Sequence, residues 1–376
     1  MPIETQTIRE QAEPRVSDAA SGRSVTEPAV TQHAVTEHAV AEDSLLKPVA
    51  AGPRMRVAVI GAGDFGRNHA RVYRQIEGVE LAGIVDTNAE RASRVAAEFS
   101  TVVLPDLDSL AGKVDAATVA VPTIEHARIG CRLLEQGIDV LVEKPMAASL
   151  AEADLLISTA ARYGRILQVG HLERFNPGIT AVLPIVNRPL YFEVHRLGVF
   201  TPRSLDVDVV YDVMIHDLDI LLALVDAPAT EVRALGIPVV TDKVDIAHAR
   251  LEFPSGAVAN VTASRVSVER VRKMRFFQER EYISVDYARQ DALRIRVRQP
   301  GPQPQFEFEQ LPVRPQEPLE GELRAFVDAV RTRSAPLVDG AAGRRALALA
   351  DRVMAGILEH GRSVQLGAFV SQQVIP

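Results

Sequence analysis

The sequence predicts an α/β domain built on a doubly wound parallel sheet, followed by an α+β domain with a large, mostly antiparallel open sheet. Three observations carry this. From Met55 to Val169, short apolar runs rich in Val, Ile and Ala alternate with helical stretches. A glycine-rich turn follows the first run, and an acid closes the second. Beyond Glu231, alternating segments succeed one another with no helices between them.

Size and composition set the bounds. At 376 residues, 47% hydrophobic and 24% charged, the chain has room for two sizeable cores and an ordinary globular composition. Net charge is -7, but residues 1–52 hold eight acids and four bases, so the rest stands near -3. That balance argues against nucleic acid as a partner. One cysteine, Cys131, excludes an intrachain disulfide and a Cys-rich zinc site, and its apolar helical setting reads as core. No stretch approaches the ~18–20 apolar residues of a membrane span. The N-terminus lacks a basic-then-apolar signal pattern, so no membrane partner and a cytoplasmic location are expected.

Three domains are expected: a disordered N-terminal extension over 1–52, a dinucleotide-binding domain over 53–171, and a substrate-binding and oligomerisation domain over 172–376. The extension repeats Ala-Val-Thr-Gln/Glu-His, carries His33 and His38, and has few large apolar residues to offset the entropy of ordering. Strand Arg56–Ile60 leads into Gly61-Ala-Gly63-Asp64-Phe65-Gly66, then a helix from Phe65 to Gln75, then strand Leu81–Val85 ending in Asp86. This is the full frame of a Rossmann fingerprint. Gly61 allows the tight turn, Gly63 lets backbone amides approach a pyrophosphate, and Gly66 packs helix on strand. The anion then sits at the helix start, beside Asp64 and Phe65. Asp86 can accept hydrogen bonds from both adenosine ribose hydroxyls and repel a 2′-phosphate, so the expected cofactor is NAD.

Alternation continues through helix Ala89–Glu98, strand Thr101–Leu104 and strand Asp115–Val121. The last ends at Pro122-Thr123 and His126, at the carboxyl edge where ligands bind. His126 either lies by the cofactor or packs against its own loop. After a helix to Gln136, strand Val140–Val142 runs into Glu143-Lys144-Pro145. Proline biases Lys144 toward extended backbone, and a lysine held there can stabilise charge growing on a reacting oxygen. Ser149 and Glu152 have capping-box spacing for a helix to Tyr163, and Arg165–Val169 completes six strands.

The second half opens on a polar junction, Gly170-His171-Leu172-Glu173-Arg174-Phe175-Asn176-Pro177, and strand Tyr191–Leu197. A long helix, Val209–Val225, carries Asp212, His216 and Asp219. Spacing of four puts Asp212 and His216 on one face, where a carboxylate can orient an acid-base imidazole. The bland alternative is a solvated polar face. With no second histidine on that helix and one cysteine in the chain, no metal site is expected. Strands follow at 231–238, 245–253, 257–266, 273–277, 282–287 and 293–298, and helices near 322–331 and 341–360 close the chain. A sheet covered by helices on one face leaves the other to bury, which favours a homodimer or homotetramer.

Taken together, Gly61–Gly66, Glu143-Lys144-Pro145 and Asp212-x-x-x-His216 resemble the Gfo/Idh/MocA family of nicotinamide-dependent sugar and cyclitol dehydrogenases, from about Met55 to His360. The resemblance implies that Lys144, Asp212 and His216 are catalytic. It implies that Gly61, Gly63, Asp64, Phe65, Gly66, Asp86, Pro122, Thr123, His126, Glu143 and Lys144 contact NAD. It places Lys144, His171, Arg174, Asn176, Asp212 and His216 at the substrate, Arg174 reaching either substrate diphosphate or cofactor phosphate. The junction, the Asp212–Asp219 segment and Ala259-Asn260-Val261-Thr262-Ala263-Ser264-Arg265 resemble the branch acting on UDP-linked N-acetylhexosamines. That branch implies oxidation of a secondary ring hydroxyl, at C3 of a substrate such as UDP-GlcNAc, to a 3-keto sugar. His216 or Lys144 is the base. The alternatives are a dehydrogenase of a free sugar or inositol, and a non-enzymatic NAD-binding sensor.

Overall fold

Apolar β-branched runs need cover on both faces, and the first half of the chain supplies it with helices. A computed structural model describes residues 54–201 and 207–366, so the expectations for residues 1–52 lie outside the described residues. Strands β1 (Met55–Ile60), β2 (Val79–Val85), β3 (Ala116–Val119), β4 (Asp139–Glu143) and β5 (Leu167–Gly170) form one sheet in the order β2-β1-β3-β4-β5. All four pairings are parallel. Helices α1 (Asp64–Tyr73), α2 (Ala89–Glu98), α3 (His126–Glu135) and α4 (Leu150–Tyr163) connect them. Ser149 caps α4 through the amide of Glu152, as its spacing predicts. Since β1 pairs with β2 on one side and β3 on the other, the strand order reverses at β1 and opens a crevice at the carboxyl edge.

The sheet has five strands where the sequence reading has six. Residues 101–104 contribute only a single bridge, Val103 to Ile84. Val102 and Val103 are exposed there, and Pro105 follows at once, so nothing covers the outer face or extends the ladder.

After the short helix α5 (Pro177–Val182), strand β6 (Tyr191–Leu197) and helix α6 (Ile215–Val225), the second sheet is built from β7 (Glu231–Ile237), β8 (Ile246–Glu252), β9 (Val258–Ser264), β10 (Val271–Gln278), β11 (Glu281–Asp286), β12 (Asp291–Gln299) and β13 (Gln305–Gln310). The order is β13-β12-β11-β10-β6-β9-β8-β7, antiparallel except where β6 meets β9. Strand β13 is absent from the sequence reading. Its polar alternation, flanked by Pro302 and Pro304, looks like a loop, and Phe306 and Phe308 stay exposed. Alternate residues such as Phe192, Val194, Val261, Met274 and Phe276 pack under α6 and the last helix α8 (Gly340–Ser363). On the opposite face Tyr191, Phe277 and Tyr282 form a row of ring contacts at 5.8 and 5.2 Å. Among the described residues, no helix is long and apolar enough to cross a membrane.

The boundary at 171/172 is not a clean cut. Helix α7 (Pro318–Thr332) starts a turn earlier than expected and returns to the first sheet. Its Leu323, Phe326, Val327 and Val330 pack with Val57, Val59, Ala70 and Tyr73. Val338 then accepts a bond from the Val169 amide at 2.9 Å, and Val338 and Ala342 share the core of β4 and β5.

Two glycines of the turn separate packing from ligand space. A Cβ on Gly66 would lie 1.8 Å from the Gly61 carbonyl oxygen, whereas one on Gly63 would meet nothing within 4 Å. Gly66→Ala should therefore cost about 2–3 kcal/mol or more in denaturant unfolding, and Gly63→Ala less than about 1 kcal/mol. Equal losses would show that α1 can shift to admit the methyl group.

Candidate active site

The carboxyl ends of β1, β2 and β3 face a cleft of about 780 Å³, lined among others by Gly61, Gly63, Asp64, Phe65, Asp86 and Pro122. Gly61 holds φ +98, and a Cβ on it would sit 2.2 Å from the Ala120 carbonyl oxygen. Helix α1 opens at Gly63 with its first amides toward the cleft, and the open space over Gly63 is the room a dinucleotide phosphate needs. The residues present fit the pyrophosphate of NAD.

Asp86 departs from its expected role. Its carboxylate accepts the amides of Ala62 at 2.6 Å and Asn88 at 2.7 Å. It also accepts both arms of the Arg91 fork, Nη2 at 2.8 Å and Nε at 3.1 Å. Burial alone would raise this acid, but the Arg91 hydrogen bond and the two amides outweigh it and hold the carboxyl below its ordinary range. Four donors fill the roughly four lone-pair positions of a carboxylate. Asp86 therefore reaches ribose hydroxyls only by sharing with Arg91, whose guanidinium also lines the cleft. Sequence offers no signal for Arg91, which looks like any surface arginine on α2.

Two further residues expected at the cofactor, His126 and Glu143, are engaged inside the protein instead. His126 is buried, its Nδ1 at 2.9 Å from the Pro145 carbonyl and its Nε2 at 2.9 Å from that of Val121. It pins two carboxyl-edge turns together and packs against its own loop, with burial pushing its pKa down. Glu143 is buried as well. It bonds His69 Nε2 at 2.8 Å and the Lys144 amide at 3.3 Å, and so points into the protein. Thr123 starts a short turn and is half-buried, between Pro122 and Glu125, which both line the cleft.

Lys144 joins the two halves. Its Nζ donates to the backbone carbonyl of Asp212 at 2.6 Å and to Asp212 Oδ1 at 3.2 Å. The Lys144–Pro145 peptide is cis. Asp212 sits in a five-residue π-turn, Val210–Met214, that precedes α6. Such turns recur at functional sites. They also break the α-helical spacing on which an Asp212–His216 pair rests. Among the described residues no hydrogen bond joins those two side chains, and His216 Nδ1 is buried without a partner. Instead the His171 ring stands edge-on to that of His216, with centroids 6.2 Å apart. Burial and then the charge of Lys144 hold His216 well below the ordinary histidine range. Burial likewise lowers buried His171. The result is a half-buried neutral imidazole next to an ammonium group.

The junction residues divide. Arg174 lies beside Asp219 of α6, with Nη1 3.5 Å from Oδ1, and stays near the site. Asn176 does not. It caps α5 through the Gly178 amide at 3.0 Å and donates to Glu173 at 3.0 Å and to the Tyr287 carbonyl at 3.1 Å. Its amide is fully used in holding the fold, and it has no group left for substrate. A network that sequence reasoning missed supports the site from below. Arg196 forks onto Asp217 at 2.7 and 2.8 Å and reaches Glu173 at 2.7 Å.

Comparison with known proteins agrees with this geometry. Residues 55–171 match the family model described as "Oxidoreductase family, NAD-binding Rossmann fold", and residues 192–284 match the GFO/IDH/MocA C-terminal domain. The chain is 40% identical over 307 residues to UDP-N-acetylglucosamine 3-dehydrogenase of Acidithiobacillus ferrooxidans, covering 81% of this chain and 97% of that protein. A solved structure of that enzyme superposes with a TM-score of 0.76 at 38% identity, covering 81% of this chain and 98% of the other. The NAD-dependent scyllo-inositol 2-dehydrogenase of Bacillus subtilis is 29% identical over 238 residues, which is 57% of this chain and 68% of that protein. Its two family domains and its similarity over 81% of its length make this chain an NAD-binding oxidoreductase of the GFO/IDH/MocA family.

Proposed function

We propose that the protein oxidises the C3 hydroxyl of a UDP-N-acetylhexosamine such as UDP-GlcNAc to a 3-keto sugar. The observation that carries this is Lys144 reaching from the end of β4 onto Asp212, with His216 one turn further along the same segment. The similarity over 97% of UDP-N-acetylglucosamine 3-dehydrogenase supports the substrate class. Gly61, Gly63 and Asp64 would hold NAD, which would supply an acceptor for the hydride of the carbinol carbon. The hydroxyl proton passes to the neutral imidazole of His216 as the carbonyl forms. Lys144, fixed by two acceptors on Asp212, donates to the oxygen while charge develops on it. Asp212 thus acts on the lysine, and His171 walls the imidazole. Lys144 as the base is the other assignment of the same two groups. Arg174 remains the candidate for a phosphate contact. A second copy covering the Tyr191, Phe277 and Tyr282 face is part of the same reading, supported by the partial exposure of those rings.

Absorbance at 340 nm with NAD and either UDP-GlcNAc or myo-inositol tests the substrate. Turnover of the nucleotide sugar is expected, and preference for inositol would replace it with the free-cyclitol reading.

Lys144→Met and His216→Asn should each lower kcat by about 10²-fold or more, with the double variant falling short of the product. NAD affinity by calorimetry should survive in all three. His216 acts when neutral and is held well below 6.5, so wild-type kcat should persist below the ordinary histidine pKa and fall only at lower pH. A limb at or above that value assigns the step to another group.

Asp86→Ala should weaken NAD binding and, by freeing Arg91, leave NADP binding equal or stronger. Parallel losses for both cofactors in calorimetry would show that the pair does not discriminate between them.

A further inference from the structure

Beneath the Glu143-Lys144 turn lies a buried polar cluster that the proposed reaction does not use. His69 comes from α1, Glu143 ends β4, and Glu322 lies on α7. One ring nitrogen of His69 and one oxygen of each carboxylate lie within 4.8 Å of one another. His69 and Glu322 are 0% exposed and Glu143 6%. The Glu143 carboxylate works in two directions, Oε1 on His69 and Oε2 on the amide of Lys144. Gly170 on the adjacent strand makes room for it, since a Cβ there would lie 3.0 Å from the carboxyl carbon. Neither oxygen of Glu322 has a hydrogen-bond partner among the described residues, and neither does His69 Nδ1.

Two carboxylates this close, sealed from water, require either a proton or a cation between them. Burial and the charge of Glu143 drive the Glu322 carboxyl far above its ordinary range. Glu143 goes the other way: burial would raise it, but the hydrogen bond with His69 holds it down. The other groups facing the pair, among the described residues, are Lys144, His126, His171 and Tyr73. The Tyr73 hydroxyl bonds Thr118 Oγ1 at 2.8 Å, and burial keeps it neutral. A metal ion would need an entry path into this closed cluster. A proton does not.

We propose that His69 and Glu322 are positioning residues for Lys144, acting through Glu143, and that a proton on Glu322 rather than a metal ion holds this buried set together. The contacts then run without a break from the helix that receives the cofactor, through His69 and Glu143, to the backbone of the lysine that faces the substrate. The inference rests on the proposed role of Lys144 for its kinetic part and on nothing catalytic for its electrostatic part.

The test has two arms, both on the full chain. The first needs no substrate. Metal content is measured on the purified protein, and wild type and Glu322→Gln are melted between about pH 5 and pH 8. A carboxyl raised on folding contributes fully below its unfolded pKa and loses that contribution as pH rises, and an amide has no such loss. Glu322→Gln should therefore gain in Tm relative to wild type as pH rises, with no stoichiometric metal. A relative loss toward pH 8, or about one divalent ion per chain, would overturn the proton assignment.

The second arm follows NAD reduction with UDP-GlcNAc. Glu322→Gln should keep kcat within about threefold, and His69→Leu should lose about tenfold or more at unchanged NAD affinity. His69→Gln, which retains a donor for Glu143, should recover most of that loss. Equal kcat for the Leu and Gln variants, or a loss confined to NAD affinity, would overturn the positioning role. Should His69→Leu not fold, Glu322→Gln against Glu322→Ala decides instead, since only the amide can replace a neutral acid. Full activity in Lys144→Met would remove the kinetic role along with the reading of Lys144, while the first arm still decides between proton and metal.

Discussion

A buried ammonium must be given acceptors, and both acceptors of Lys144 lie on Asp212, across the seam between the two sheets. That contact fixes what the surrounding structure has to do. The end of β4 and the start of α6 must stay in register to within a hydrogen bond. Several otherwise unrelated features serve this end. Arg196 ties α6 to the turn after β5 through Asp217 and Glu173. The Tyr211 hydroxyl, one residue before Asp212, bonds Asp351 of α8 at 2.8 Å. His126 clamps the turn on the far side of Pro145. None of these touches the crevice, yet each removes a way for the lysine to lose its place.

The electrostatics around the lysine follow from the same constraint. Burial first, and then the positive charge of Lys144, depress the His216 imidazole. The imidazole is thus held neutral without a carboxylate partner. Asp212, which sequence spacing assigns to the histidine, instead neutralises the lysine. At the other end of the crevice the arrangement is reversed. Arg91 pairs with Asp86, so the cleft presents a paired ion rather than a lone carboxylate.

Much of this was legible in the sequence because the signals are local. Apolar runs, the glycine turn with its one positive φ at Gly61, and the cap at Ser149 all depend on neighbours within a few residues. What was not legible depends on packing between distant segments or on a change of helical pitch. An asparagine before a proline looks the same whether it binds a sugar or caps a helix, and Asn176 caps one. The Asp212–His216 pairing assumed α-helical spacing where the chain makes a π-turn. Glu322 is one acid in an amphipathic helix until α7 docks on α1, when it proves to be fully buried. Strand β13 failed for the opposite reason: its aromatic residues stay exposed, so its pattern lacks a buried face.

The return of α7 to the first sheet has a consequence for how the chain is made. Residues 55–171 hold the glycine turn and all five strands, but the core on one face of that sheet lacks Leu323, Phe326, Val327 and Val330 until the ribosome has passed them. At ~5–20 residues per second, the growing chain carries an open apolar face for several seconds to tens of seconds. The second sheet, made in the interval, must form while that face is still uncovered. Cofactor-domain completion is thus a late event despite its early place in the sequence, and substitutions on the buried face of α7 act on the dinucleotide fold rather than on the second sheet that precedes them in the chain.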